Sequence, residues 1–150
     1  MFDKTVDAVA AGRVTAFAAA RSGAPHFTLP CALEAVPAGW PSPAQDYFSA
    51  DIDLNEHLIA NPPATFLVRV SGDSMTGAGI SDGDELIVDR SLEPREGSVV
   101  IAAVAGELTV KRLHWGKNGP ELQPANPEYP ILHPEELQVW GVVTRCLHRL

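Results

Sequence analysis

The feature that most constrains the fold is a series of short strand-like segments between residues 65 and 147. β-Branched and aromatic residues dominate these segments, and clusters of Gly, Asp and Pro separate them, which is typical of strands joined by turns. The predicted strands are TFLVRV (65–70), DELIVDR (84–90), SVVIAAVA (98–105), ELTVKRL (107–113) and LQVWGVVTRCL (137–147). Ala105-Gly106 predicts a tight hairpin turn. Because little in this region predicts a helix, we expect a mostly-β domain.

The N-terminal part of the chain has a different pattern. Residues 1–30 are rich in Ala, with a partial apolar stripe that Gly12 interrupts, and they predict a frayed helix or a loosely attached arm. Residues 36–46 hold three prolines and one glycine. Because Pro cannot donate to a helix or to a central strand ladder, this stretch predicts an extended linker with exposed backbone, the kind of segment that proteases cut.

A short helix is expected at about residues 53–60. Asp53 can accept hydrogen bonds at its N-terminus, and Glu56 completes a capping box. Leu54 and Leu58 are expected to face the core, and the pair of prolines at 62 and 63 ends the helix.

Charge and cysteine content exclude several classes of protein. The 11 Lys and Arg residues stand against 19 Asp and Glu, a net charge of −8, so we do not expect direct, sequence-specific DNA binding. Cys31 and Cys146 are too far apart for a metal-binding pair and cannot form a disulfide framework, which indicates a reducing compartment. With no apolar run of about 18 residues and a poor signal-peptide pattern, we expect a cytoplasmic protein without a membrane span. No metal or cofactor motif is found.

The first candidate for chemistry is a serine-rich turn, Ser71-Gly72-Asp73-Ser74-Met75, which follows a predicted strand. A serine at a strand end beside glycines has room for a substrate carbonyl and for nearby backbone N–H donors. Serine and glycine are also ordinary turn residues, so this turn alone is weak evidence for catalysis.

The second candidate is Lys111 in ELTVKRL. Alternation places Lys111 and Arg112 on opposite faces, so one of the two bases lies on the more buried side unless a bulge intervenes. An edge lysine that discourages aggregation is the simpler interpretation. The functional interpretation is a general base that burial keeps neutral. Moving the pKa of a lysine from ~10.4 to ~7 costs about 4–5 kcal/mol. A fold supplies that free energy only where the neutral amine is used.

Four segments together match a known family. They are VRVSGDSMTGAGISDGDELIVDR, GSVVIAAVAGELTVKRL, LQPANPEYPI and WGVVTRCL. They resemble the LexA/UmuD family of self-cleaving serine peptidases, over about residues 36–148. The paired S-G-D-S-M and T-V-K motifs are specific in combination. The resemblance implies the compact β-fold of short strands shared with signal peptidases, together with an extended N-terminal arm.

The resemblance also implies a site. Ser74 would be the nucleophile, Lys111 its general base, and the backbone N–H groups of Ser74 and Met75 the oxyanion donors. Ser71 is not the nucleophile in this pattern, because the family has it immediately before the methionine. The scissile bond would join Ala38 to Gly39.

That bond divides the chain into an arm removed by self-cleavage (residues 1–38), a linker with a short helix (39–64) and a β-rich peptidase domain (65–150). The partners implied are a RecA filament on single-stranded DNA, which stimulates the cut, and a UmuC-like translesion DNA polymerase, which the trimmed homodimer joins in the SOS response. No cofactor is implied. The alternative is a non-cleaving dimeric polymerase accessory protein with the same fold. A signal-peptidase relative and a phage-type repressor fit less well, because we find no membrane anchor and only 38 residues before the cut.

Overall fold

The computed structural model describes residues 12–21, 23–32 and 48–150. The expected cleavage site, Ala38-Gly39, lies outside the described residues. The strands are β1 (Arg13–Ala19), β2 (Thr28–Ala32), β3 (Phe48–Asp53), β4 (Thr65–Ser71), β5 (Glu85–Asp89), β6 (Val99–Val104), β7 (Glu107–Gly116), β8 (Gly119–Gln123) and β9 (Val139–Leu147). One short helix, α1 (Leu54–Leu58), and two 3-10 turns (Pro62–Ala64 and Thr76–Ala78) complete the described part. The expected mostly-β fold is confirmed.

Seven of the strands form one antiparallel sheet in the order β1-β4-β5-β9-β6-β7-β8. β1 also pairs with β7, where Arg13 lies opposite Thr109, so β1 connects β4 to β7 and closes the sheet on itself. β2 and β3 form a separate antiparallel pair. The chain turns between β6 and β7 at Ala105-Gly106, both with positive φ, as expected for a tight hairpin.

Two apolar clusters cover the two faces of the sheet around β6. Val100 and Ala102 belong to one cluster, and Ile101 between them belongs to the other, because successive strand residues point to opposite faces. The second cluster includes Met75, directly after the candidate nucleophile. Packing of this cluster therefore fixes the turn that carries Ser74.

The first strand is a correction to the expected N-terminal structure. Residues 13–19 are neither a frayed helix nor loosely attached: they pair with β4 from Arg13 opposite Ser71 to Ala19 opposite Phe66. Val14 packs against the second apolar cluster. The backbone hydrogen bonds that β4 and β7 offer outweigh the helix propensity of the alanines, which is only a fraction of a kcal/mol per residue.

The short helix is only partly as predicted. The Asp53 side chain accepts hydrogen bonds from the N–H groups of Asn55 (2.8 Å) and Glu56 (3.3 Å), so the predicted N-cap is confirmed. The expectation that Leu54 faces the core is wrong, because its side chain is 49% exposed, and Leu58 is half-buried. With five residues, the helix is too short to bury a full apolar face. In the described ranges, no helix is long and apolar enough to cross a membrane.

Candidate active site

Ser74 lies in the turn that follows β4, at the entrance to the 3-10 turn Thr76–Ala78. Its side chain is 0% exposed, and the neighbouring Met75 is 2% exposed within the core. The Met75 carbonyl accepts hydrogen bonds from the N–H groups of Ala78 (2.9 Å) and Ile80 (3.2 Å). The buried methionine and these bonds hold the serine in one position.

A second segment holds the same turn from outside. The N–H of Ala125 donates to the Ser74 carbonyl at 2.8 Å, and the N–H of Gly77 donates to the Ala125 carbonyl at 2.7 Å. A Cβ on Gly77 would lie 2.3 Å from the Ala125 oxygen, so only glycine permits this backbone approach. Ala125 belongs to LQPANPEYPI, one of the four segments that resemble the family, so this segment contacts the turn that carries Ser74.

Asp73 receives further support from this segment. The Asn126 side chain donates to the Asp73 carbonyl at 3.0 Å, and the Tyr129 hydroxyl donates to the Asp73 carboxylate. The residue before Ser74 is therefore held through both its backbone and its side chain.

Lys111 lies on β7 with its side chain 0% exposed. Its Nζ is 3.0 Å from each of three oxygens: the hydroxyl of Ser74, the hydroxyl of Thr109 and the carbonyl of Val110. The sequence left open which of Lys111 and Arg112 is buried. Arg112 is the more exposed of the two and donates to the Gly97 carbonyl at 2.7 Å.

The three oxygens around Nζ can be satisfied by a neutral amine as well as by an ammonium. A neutral amine has two N–H donors and one lone pair, and the Val110 carbonyl can only accept. The Thr109 hydroxyl donates its single hydrogen to the Gly12 carbonyl at 3.2 Å, so it also accepts from Nζ. Both N–H groups are then used, and the lone pair remains to accept the Ser74 hydroxyl proton.

Burial lowers the pKa of Lys111 from its ordinary 10.5 to about 8, because the charged form loses its hydration. Among the described residues, no carboxylate forms an ion pair with Nζ that would counter this effect. A substantial share of the lysine is thus neutral near pH 8, as a general base requires.

A family model matches most of this chain, and several known proteins are similar to it in sequence. The family model described as Peptidase S24-like matches residues 30–144. Protein SamA of Salmonella typhimurium is 50% identical over 129 residues, 86% of this chain and 88% of that protein. Protein ImpA of Salmonella typhimurium is 45% identical over 130 residues (85% and 89%), and Protein MucA of the same species is 43% identical over 124 residues (80% and 84%).

The chain belongs to the Peptidase S24-like family. The expected membership of the LexA/UmuD group of serine peptidases, as a UmuD-like chain, is thereby confirmed. In this S24-like chain the structure brings together Ser74 and Lys111, the two side chains expected to react, although 37 residues separate them in sequence. Of the two serines in the turn, Ser74 is the one whose hydroxyl bonds to Lys111 Nζ. Ser71 lies at the end of β4, opposite Arg13.

Two residues at the site of this S24-like chain were missed from the sequence. Thr109 bonds to Nζ, and its position two residues before Lys111 on the same strand face could have indicated this contact. Gly12 lies buried against both Ser74 and Lys111, and its carbonyl accepts a hydrogen bond from the Val110 N–H at 2.8 Å. Gly12 is outside the family match, so the family pattern could not point to it.

Proposed function

We propose that this protein is a self-cleaving serine peptidase that cuts its own chain between Ala38 and Gly39. The observation that carries the proposal is the 3.0 Å contact between Ser74 Oγ and a fully buried Lys111 Nζ. Serine is a weak nucleophile unless a base takes its proton, and an uncharged amine within hydrogen-bond distance is such a base.

The reaction proceeds in two stages. The Ser74 oxygen forms a bond to the Ala38 carbonyl carbon while its proton moves to Lys111 Nζ, and the backbone N–H groups of Ser74 and Met75 stabilise the oxyanion. The Ala38–Gly39 bond then breaks, and the departing Gly39 nitrogen takes the proton from Nζ. A water molecule hydrolyses the ester and releases residues 1–38, leaving residues 39–150.

We propose further that the cut serves SOS mutagenesis. A RecA filament on single-stranded DNA would favour the conformer in which the scissile bond meets Ser74, and so raise the rate. The trimmed chain would then form a homodimer and act as the accessory subunit of a UmuC-type translesion polymerase in the cytoplasm. The net charge of −8 supports this proposal, because an acidic chain is repelled by DNA phosphates and its partners would make the contacts with DNA.

Intact-mass measurement of the purified protein tests the cleavage. At about pH 10, where Lys111 is largely neutral, we expect a fragment that begins at Gly39. Ser74→Ala should abolish it, whereas the matched variant Ser71→Ala should still cut. At neutral pH, added RecA filaments should accelerate the same cut.

The alternative function is a non-cleaving accessory protein with the same fold. A parent protein that yields no fragment, either at high pH or with RecA filaments, would contradict the peptidase proposal and favour this alternative. A fragment that persists in Ser74→Ala would contradict the assigned nucleophile.

A further inference from the structure

Gly12 lies where a substrate residue would lie. A Cβ built on Gly12 would be 2.7 Å from Ser74 Oγ, 2.7 Å from Lys111 Nζ and 3.0 Å from the Val110 carbonyl oxygen. Real side chains do not approach other atoms this closely, so only glycine fits between the two reactive groups. The described chain from Gly12 onward therefore lies directly beside the Ser74–Lys111 pair.

The backbone around Gly12 is bound as an extended peptide added to a sheet. The Gly12 carbonyl is held by the N–H of Val110 and the hydroxyl of Thr109. From Arg13 onward the chain runs antiparallel to β4, and Arg13 also pairs with Thr109 on β7. Strand addition of this kind is a common way for a protein to bind a peptide segment.

An aromatic contact anchors the same strand further along. The Phe17 ring lies 6.3 Å from the Phe66 ring and 5.9 Å from the Trp140 ring, centroid to centroid. Such contacts contribute beyond the apolar area they bury. The segment is thus fixed both at the reactive pair and at its far end.

The sequence before Gly12 repeats the sequence before Gly39. Residues 7–12 are Asp-Ala-Val-Ala-Ala-Gly, and residues 34–39 are Glu-Ala-Val-Pro-Ala-Gly. The two hexapeptides share the acidic first position, the valine two residues before the final alanine, and the Ala-Gly pair at the end. A site that binds and cuts the Ala38–Gly39 sequence would therefore meet the same residue types before Gly12.

We propose that Ala11–Gly12 is a second self-cleavage bond, cut by the same Ser74 and Lys111. The Gly12–Arg13 bond is not the target, because the Gly12 carbonyl oxygen is bound by donors on β7 rather than by the Ser74 and Met75 N–H groups that stabilise the oxyanion in the proposed reaction. Ser74 Oγ would form an ester with the Ala11 carbonyl carbon, and its proton would pass through Nζ to the Gly12 nitrogen as the Ala11–Gly12 bond breaks. Water would then hydrolyse the ester and release residues 1–11. This inference rests on the proposed peptidase function.

The Gly39→Val variant of the full chain isolates the second cut. At about pH 10, where the lysine is largely neutral, we expect intact mass and N-terminal sequencing to find a fragment that begins at Gly12, together with the peptide 1–11. The double variant Gly39→Val, Ser74→Ala should produce neither species.

The reciprocal variant is Gly12→Val in a chain that keeps Gly39. Because a valine cannot fit between Oγ and Nζ, the fragment beginning at residue 12 should fall by more than about tenfold relative to the fragment beginning at Gly39 in the same sample. Ala16→Val is the matched control on the exposed side of β1, and it should yield both fragments.

The outcomes separate this inference from the proposed function. If the unchanged chain yields the Gly39 fragment but Gly39→Val yields no Gly12 fragment, the second site is wrong and the peptidase function stands. If no variant yields a fragment that depends on Ser74, both are wrong. A Gly12 fragment that survives Ser74→Ala would come from another protease and would also overturn the inference.

Discussion

At the scale of single residues, the chemistry depends on the protonation state of one buried amine. Lys111 has three oxygen neighbours at 3.0 Å and is 0% exposed. When the amine is neutral, the Val110 carbonyl and the Thr109 hydroxyl can take its two N–H donors, which leaves its lone pair for the Ser74 hydroxyl. Protonation would supply a third N–H to the same place and remove the base.

The pH dependence of self-cleavage follows from this lysine. Burial lowers its pKa to about 8, so the neutral, active fraction falls about tenfold for each pH unit below that value and levels off above it. We expect the first-order rate, measured by intact mass, to rise from pH 6 with a midpoint near 8. A rate that is flat between pH 6 and 10 would show that the lysine is not the base.

At the scale of elements, the reactive serine is held by contacts between a turn and a distant segment. Gly77, in the 3-10 turn after Ser74, donates to the Ala125 carbonyl, and Ala125 donates back to the Ser74 carbonyl. These two bonds join the β4 turn to the segment after β8. The position of Ser74 relative to β7 depends on this connection.

Gly77→Ala should break the connection. The new methyl group would lie 2.3 Å from the Ala125 oxygen, and relieving this clash should cost about 1–3 kcal/mol of stability. We expect self-cleavage to slow by more than about tenfold, because the serine shifts away from Nζ. Denaturant unfolding and the cleavage rate measure the two effects.

Gly116→Ala is the matched control for that change. The three atoms nearest to its methyl group all belong to the Glu121 side chain, which can move more easily than the backbone oxygen that Gly77→Ala would meet. Cleavage by this variant should therefore match that of the parent. Equal losses in both variants would mean that the Gly77 contact has no special role.

At the scale of the whole molecule, buried aspartates connect segments that are distant along the chain. Asp89 is 3% exposed and accepts hydrogen bonds from the N–H and hydroxyl of Ser91 and from the Asn61 side chain. Burial by itself raises the pKa of Asp89, but the bonds from Ser91 and Asn61 outweigh it and hold the pKa below the ordinary 3.8. Asp84 behaves in the same way: burial raises its pKa, but the hydrogen bonds from Ser81 and His148 outweigh burial and hold the pKa below 3.8.

These carboxylates predict how stability depends on pH. Since their pKa values are lower in the folded state, the unfolded chain binds more protons, and stability rises with pH across this range. The stability that Asp84 and Asp89 contribute is complete above pH 3.8, their ordinary pKa, and is lost as the pH falls through their folded-state pKa values. Calorimetry should therefore show a melting temperature that drops below about pH 4.

Asp89→Asn should make that acid-side drop shallower, because one of the linked protons is removed. Glu93→Gln, which changes an exposed carboxylate, serves as the comparison. If Asp89→Asn and the parent lost stability with the same slope, the buried carboxylate would not be responsible.

The sequence by itself determined the features that arise from neighbouring residues. The five predicted strands, the Ala105-Gly106 hairpin and the Asp53 cap all follow from chemistry within a few positions, and all are present. The S-G-D-S-M and T-V-K motifs also singled out Ser74 and Lys111, by resemblance to the family.

Only the tertiary structure decided what depends on distant partners. The Ala-rich residues 13–19 form a strand because β4 and β7 offer hydrogen bonds that a helix would leave unused. Lys111 loses its proton more readily than an exposed lysine because the surrounding chain removes water from its charged form, and it contacts Ser74, 37 residues away in sequence. Gly12 bonds to Thr109, 97 residues away in sequence, and no local pattern could encode this contact.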